Sequence, residues 1–105
     1  MKPIAVVTTV ATREQAQALA RSLVGRGLAA CAQISEIESF YTWEGAVQHD
    51  PEFRVLFKTT RERYAEVEAA IRELHAYELP AIHAFAFEAA FAPYAAWIEQ
   101  HSRGS

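Results

Sequence analysis

Residues 29–43, "AACAQISEIESFYTW", alternate small or apolar side chains with polar ones and end among aromatics. Taken as a strand, residues 30–43 span roughly 45 Å at ~3.3 Å per residue. A compact chain of 105 residues has a diameter of only about 33 Å. Part of this ribbon must therefore project or bend, and it carries Phe40, Tyr41 and Trp43 with it. A bare aromatic edge of that length invites pairing with another chain. The phase of the alternation also changes. Ala30, Ala32 and Ile34 share one face, whereas Ile37, Ser39, Tyr41 and Trp43 share the other parity. A strand turns over its buried face by inserting a residue, so a bulge is expected near Ser35–Glu36.

The flanking segments supply the body. "PIAVVTT" (3–9) is β-branched and apolar and reads as a buried strand. Thr12 and Gln15 form a capping box for a helix with Ala16, Leu19, Ala20, Leu23 and Val24 on one stripe, stopped by Gly25 and Gly27. "EGAVQHDPE" (44–52) reads as a long hairpin connection, and "FRVLFKTT" (53–60) as the returning strand. A second capping box, Thr59 and Glu62, opens a helix striped by Tyr64, Val67, Ile71 and Leu74. Pro80 ends it. "AIHAFAFE" (81–88) is a strand, and "APYAAWIEQ" (92–100) a helix with Pro93 in its first turn. The order βαββαβ plus a closing helix is that of an α+β, ferredoxin-like sandwich with an extended hairpin, in one domain over 1–105. The tail "HSRGS" reads as frayed.

Composition narrows the partners. The net charge is −3, with acids and bases interleaved and no basic tract, which argues against nucleic acid. No stretch is long and apolar enough for a membrane span. Cys31 is the only cysteine, so there is no internal disulfide; a reducing, cytoplasmic setting is expected. Ile82, Ala84 and Ala86 on one side of the last strand, and Phe85 and Phe87 on the other, ask for burial on both faces. Two helices can cover one. A closed homo-oligomer, joined sheet to sheet with swapped hairpin edges, answers both this and the long ribbon; the plainer alternative is a curled sheet with Phe85 or Phe87 under the C-terminal helix.

"LAACAQI" (28–34), "SFYTWEG" (39–45), "FKTT" (57–60), "HAYELP" (75–80) and "YAAWI" (94–98) follow one another in an order and spacing that closely resembles the CutA family, associated with divalent-cation tolerance. The resemblance spans nearly the whole chain. It implies a ferredoxin-like protomer, a homotrimer akin in architecture to the PII signalling proteins, and no defined reaction. It implies copper or another divalent cation as the bound ion, with none needed for folding. It also gathers Tyr41, Trp43, Glu44, Lys58, Tyr77 and Glu78 at a cleft between subunits, with Trp97 added as a candidate for the same interface from its packing face. Two positions depart from the family pattern. Ala76 follows the histidine where proline is usual, and Thr8 stands where some copper-binding members have cysteine. A hydroxyl is a poor copper ligand beside a thiolate.

Each candidate has a plainer reading. His75, at a helix end, is either a cap for the last carbonyls or a metal ligand with Glu78. Tyr77 either docks to end the helix or lines a cleft. Lys58 lies in an apolar strand and needs a partner, with Glu44 or Glu78 across an interface as candidates. Cys31 among alanines reads as an inert thiol, and Trp97 and Tyr94 as packing residues on the face of Ile98. There is no phosphate loop, CxxC, HExxH or G-x-S-x-G. Three functions follow: a trimer binding a divalent ion or small anion in its clefts, a PII-like ligand-signalling or scaffold trimer without metal, and an enzyme of unknown reaction in the same cleft.

Overall fold

A computed structural model describes residues 2–104. Strand β1 (Pro3–Val10) leads to helix α1 (Arg13–Gly25), strands β2 (Cys31–Trp43) and β3 (Ala46–Thr60), a 3₁₀ turn at Arg61–Arg63, helix α2 (Tyr64–Leu74), strand β4 (Ile82–Ala86) and helix α3 (Ala92–Gln100). The sheet order is β2-β3-β1-β4 with every neighbouring pair antiparallel. Helices α1 and α2 close one face over a core of Val6, Leu19, Leu23, Val55, Phe57, Val67 and Ile71. Val67, Ala70 and Ile71 form the buried stripe of α2, while Leu74, in its last turn, is exposed, as is Val24 in α1.

The first capping box is present. Thr12 Oγ1 accepts from the Gln15 N–H at 3.1 Å, and Gln15 Oε1 accepts from the Thr12 N–H at 3.3 Å. The second is not. Thr59 is buried in β3, and its hydroxyl donates to the Leu28 carbonyl at 2.7 Å, so it ties a strand to the α1–β2 loop and caps nothing. At the end of α1, Gly27 takes φ +71°, its N–H reaches Val24 O, and the Leu28 N–H reaches Leu23 O. Those two bonds are the Schellman pattern that a left-handed glycine permits.

The ribbon projects as its length requires. The molecule measures 45 × 27 × 21 Å. The expected bulge is absent: pairing runs unbroken from Cys31↔Lys58 to Trp43↔Ala46, through Ser35↔Arg54 and Glu36↔Phe53. The change of parity has another cause. Ala32 and Ile34 face the helices, whereas Ile37 and Ser39 face the opposite side, where the loop after α2 folds over them. Different covers at the two ends do what an inserted residue would have done. The expected long connection is also mostly strand. Only Glu44 (φ +51°) and Gly45 (φ +81°) turn the chain, both left-handed, as in a type I′ hairpin. Pro51 is tolerated because β1 pairs with β3 only as far as Phe53, so beyond it β3 borders β2 alone.

The tail is held to residue 104. Ser102 is buried and donates to Ile98 O at 2.7 Å. Arg63 donates through Nε to Ser102 O at 2.7 Å and through its terminal nitrogen to Arg103 O, and the Gly104 N–H reaches Gly27 O at 2.9 Å.

One core group is unsatisfied. Thr8 is 1% exposed, paired between Val55 and Ile82, and its hydroxyl has no partner among the described residues. An unpaired buried hydroxyl costs about 1–3 kcal/mol. Thr8→Val should therefore raise the unfolding free energy by about 1 kcal/mol, read as a higher urea midpoint at unchanged slope.

Candidate functional site

The sheet face away from α1 and α2 carries the polar residues of interest, and strand alternation puts them there. The pairs Cys31↔Lys58, Lys58↔Ala5 and Ala5↔Phe85 form one row straight across it. Toward the ribbon tip, the same face holds Tyr41 and Trp43 from β2 and Asp50, Glu52 and Arg54 from β3.

Residues 75–81 fold back over the β2–β3 end of that face. His75 ends α2 with extended backbone (ψ 139°). Its Nε2 lies 2.7 Å from Thr9 O, and its Nδ1 lies 3.1 Å from the Tyr77 N. A carbonyl can only accept and an N–H can only donate. The imidazole is therefore the neutral Nε2–H form, with both nitrogens engaged. It fastens the loop to β1, where a cap on its own helix was the plainer expectation. Tyr77 then donates its phenol to Glu52 Oε2 at 2.7 Å, and Tyr41 donates to Asp50 Oδ2, also at 2.7 Å. Between loop and ribbon lies an open groove of about 840 Å³, lined by Tyr41, Trp43, Glu52, Arg54, Tyr77 and Glu78, among others.

The expected site residues thus fall into separate places within one protomer. Tyr41, Trp43, Tyr77 and Glu78 share the groove. Lys58 lies in the sheet, with Nζ 3.0 Å from the Tyr94 hydroxyl and 5.3 Å from its ring centroid. Trp97 stacks on Tyr94 at 5.8 Å and meets His101 at 5.0 Å. Glu44 sits in the hairpin turn. Neither Glu44 nor Glu78 bridges Lys58 in the protomer; the phenol of Tyr94 does. Cys31 is a free, half-buried thiol facing Lys58 across the strands.

Glu52 and Asp50 were missed in the sequence because 44–52 reads as a connection. The alternation Glu52, Arg54, Leu56, Lys58 was the available signal, interrupted in appearance by Pro51. Glu52 is the more telling of the pair: it is 8% exposed, yet it makes no ion pair among the described residues.

A copper ion finds no ready ligand set within a protomer. Among the described residues no three His, Cys, Asp or Glu side chains gather. His75 has both nitrogens in use, and Thr8 is locked in the core. The donors present do not fit a tight copper site.

Acidic side chains outnumber basic ones along the groove, and the phenols of Tyr77 and Tyr41 are both shifted upward. Burial pushes the Tyr77 phenol far above the ordinary tyrosine range, helped by the bond to Glu52 and by the charges of Glu52 and Asp50. The bond to Asp50 raises Tyr41. In an unfolded chain a tyrosine releases its proton near pH ~10. Above that pH the unfolded state holds fewer protons than the native one, so stability falls as pH rises. Tyr77→Phe should flatten this alkaline decline in urea midpoints collected from about pH 8 to 11. An unchanged slope would show that Tyr77 does not carry it.

The residue pattern and geometry find close counterparts. A family model described as CutA1 divalent ion tolerance protein matches residues 4–101. The divalent-cation tolerance protein CutA of Thermotoga maritima is 36% identical over 97 residues, which is 92% of this chain and 96% of that one. CutA of Archaeoglobus fulgidus is 35% identical over 92 residues, covering 88% of this chain and 90% of its own. The solved structure of the periplasmic divalent cation tolerance protein CutA from Archaeoglobus fulgidus superposes with a TM-score of 0.94 at 32% identity, over 96% of this chain and 99% of that one. The crystal structure of CutA1 from Pyrococcus horikoshii gives 0.91 at 31% identity, over 95% of this chain and 98% of that one. These proteins are named for cation tolerance and not for a reaction. Likeness of this extent in sequence and in structure leads to one conclusion: the chain belongs to the CutA1 divalent ion tolerance family.

Proposed function

We propose that the chain works as a homotrimeric binding protein of the divalent-cation-tolerance type, with a ferredoxin-like protomer, whose grooves lie at the subunit seams and take a small ligand. The observation that carries this is the apolar surface left on the sheet face away from α1 and α2, where α3 reaches only as far as Lys58 through Tyr94. Phe85 is 59% exposed there on the edge strand β4, and Tyr41, Trp43 and Leu79 stand open beside the groove. Apolar surface of this kind on a small domain marks an interface. A closed ring of copies covers the face and walls the groove. Lys58, Tyr94 and Trp97 lie on the same side of the sheet and would meet the groove of a neighbour.

The second reading is that the seam binds a divalent ion such as copper, with His75 and Glu78 as ligands. The engaged imidazole disfavours it, because a metal would have to displace either Thr9 O or the Tyr77 N–H. A ligand set drawn from two subunits would be required. The setting we assign is cytoplasmic, on the strength of the lone free Cys31; among the described residues no helix is long and apolar enough to cross a membrane. Catalysis is not part of the proposal.

Sedimentation of the native chain at micromolar concentration tests the assembly and should give three times the chain mass. A single-chain mass would remove the seam and its grooves together. Titration of the same sample with copper and with zinc separates the two readings: saturable micromolar binding abolished by His75→Gln would favour the metal.

A further inference from the structure

Glu52 is a buried carboxylate without a cation among the described residues. Acidic side chains are almost never this buried unless paired, because a charge removed from water is costly. Its Oε2 accepts from Tyr77, while Oε1 has no protein partner among the described residues and the residue lines the groove. Arg54, two residues along on the same face, makes no ion pair with it. Glu38 and Glu78 also line the groove, so acids outnumber bases there and an anion is disfavoured. The walls are aromatic, from Tyr41, Trp43 and Tyr77, and aromatic faces attract cations. A bare divalent ion would use none of that apolar wall and lacks its three ligands.

We infer that the groove takes an organic ammonium ion, a protonated amine on an apolar body, with the ammonium at Glu52 and the body against Tyr41 and Trp43. The inference rests on the small-ligand reading above and names the class of that ligand. Each phenol occupies one oxygen of its carboxylate, and at Glu52 that leaves Oε1 to meet a guest. The volume of about 840 Å³ lies within the range of small-molecule sites and far exceeds what an ion alone requires.

The probe is phenethylamine, protonated at about pH 7.5, titrated calorimetrically into the native oligomer beside neutral 2-phenylethanol, anionic phenylacetate and zinc chloride. The ammonium should bind saturably, the alcohol at least about tenfold more weakly, and the carboxylate not at all, as expected for a charge-assisted bond. Glu52→Gln keeps an acceptor for Tyr77 and should weaken the ammonium at least about tenfold, with the alcohol unchanged. Tyr77→Phe frees a second carboxylate oxygen and should hold or raise ammonium affinity; a merely structural role for this pair would lower it. Equal binding of amine and alcohol overturns the inference. So does unaltered amine affinity in a folded Glu52→Gln protein, or zinc binding that Glu52→Gln abolishes while the amine does not bind. If Glu52→Gln does not fold, Tyr77→Phe decides. A trimer by sedimentation that binds no phenethylamine sinks this inference and leaves the assembly standing, whereas a monomer that binds it does the reverse.

Discussion

Gly27→Ala is expected to lower the unfolding free energy by about 3 kcal/mol, a large effect for one methyl group. Two causes add. Gly27 sits at φ +71°, where a side chain costs roughly 1–2 kcal/mol. A Cβ there would also lie 2.7 Å from the Gly104 carbonyl carbon and 2.9 Å from its Cα. Those are backbone atoms, so no rotamer change relieves the clash. The tail must lift, and with it go the Gly104–Gly27 bond and the carbonyls that Arg63 holds. A double-mutant cycle separates the causes. In a chain ending at Ser102 the obstructing atoms are gone, and Gly27→Ala should cost only about 1–2 kcal/mol, the conformational part. Equal penalties in both backgrounds, from urea midpoints, would mean that the tail does not pack on the glycine in solution.

That contact marks where sequence reading stopped. Local signals were legible. The β-branched run of β1, the Thr12–Gln15 capping box, the glycine stop of α1 and the bounds of α3 are each written within a few residues, and the structure has them. The ribbon's length was legible too, since rise per residue is fixed. Features that depend on a distant partner were not. Thr59 matches a capping box on paper, but its hydroxyl meets Leu28 O, 31 positions away. The 46–52 strand was hidden by Pro51 and by turn-forming residues, because nothing local says that a strand there lacks a neighbour on one side. The tail looked frayed because its anchor, Arg63, lies 39 positions upstream of Ser102. The groove follows the same rule. Tyr41, Trp43, Tyr77 and Glu78 were legible from their motifs, while Glu52, which joins loop to ribbon, was concealed by the misread connection. His75 was legible as a helix end, but its bond to Thr9 O spans 66 positions and fixes a tautomer that no local pattern encodes.

In the homotrimer proposed above, Phe85→Glu should separate the copies into single chains, with the fold of each kept. Phe85 is paired with Ala5 on the face away from α1 and α2 and contributes nothing to the core. Its loss therefore costs an isolated chain little. At a closed seam the balance differs. Burying a phenylalanine stabilises by about 1.5–3 kcal/mol, so three copies lose about 6 kcal/mol of association energy. At about 1.4 kcal/mol per decade that is roughly four decades in the assembly constant, before any penalty for burying three carboxylates near one another. Sedimentation at micromolar concentration should show one-third of the wild-type mass, and the melting temperature should cease to depend on protein concentration. Leu74→Glu, on the exposed last turn of α2, is the control and should leave the mass unchanged. A Phe85→Glu protein that sediments as the wild type would place the seam elsewhere on the surface. The groove, formed within a single protomer, would then stand without a neighbour to wall it, and Lys58 would keep the phenol of Tyr94 as its partner.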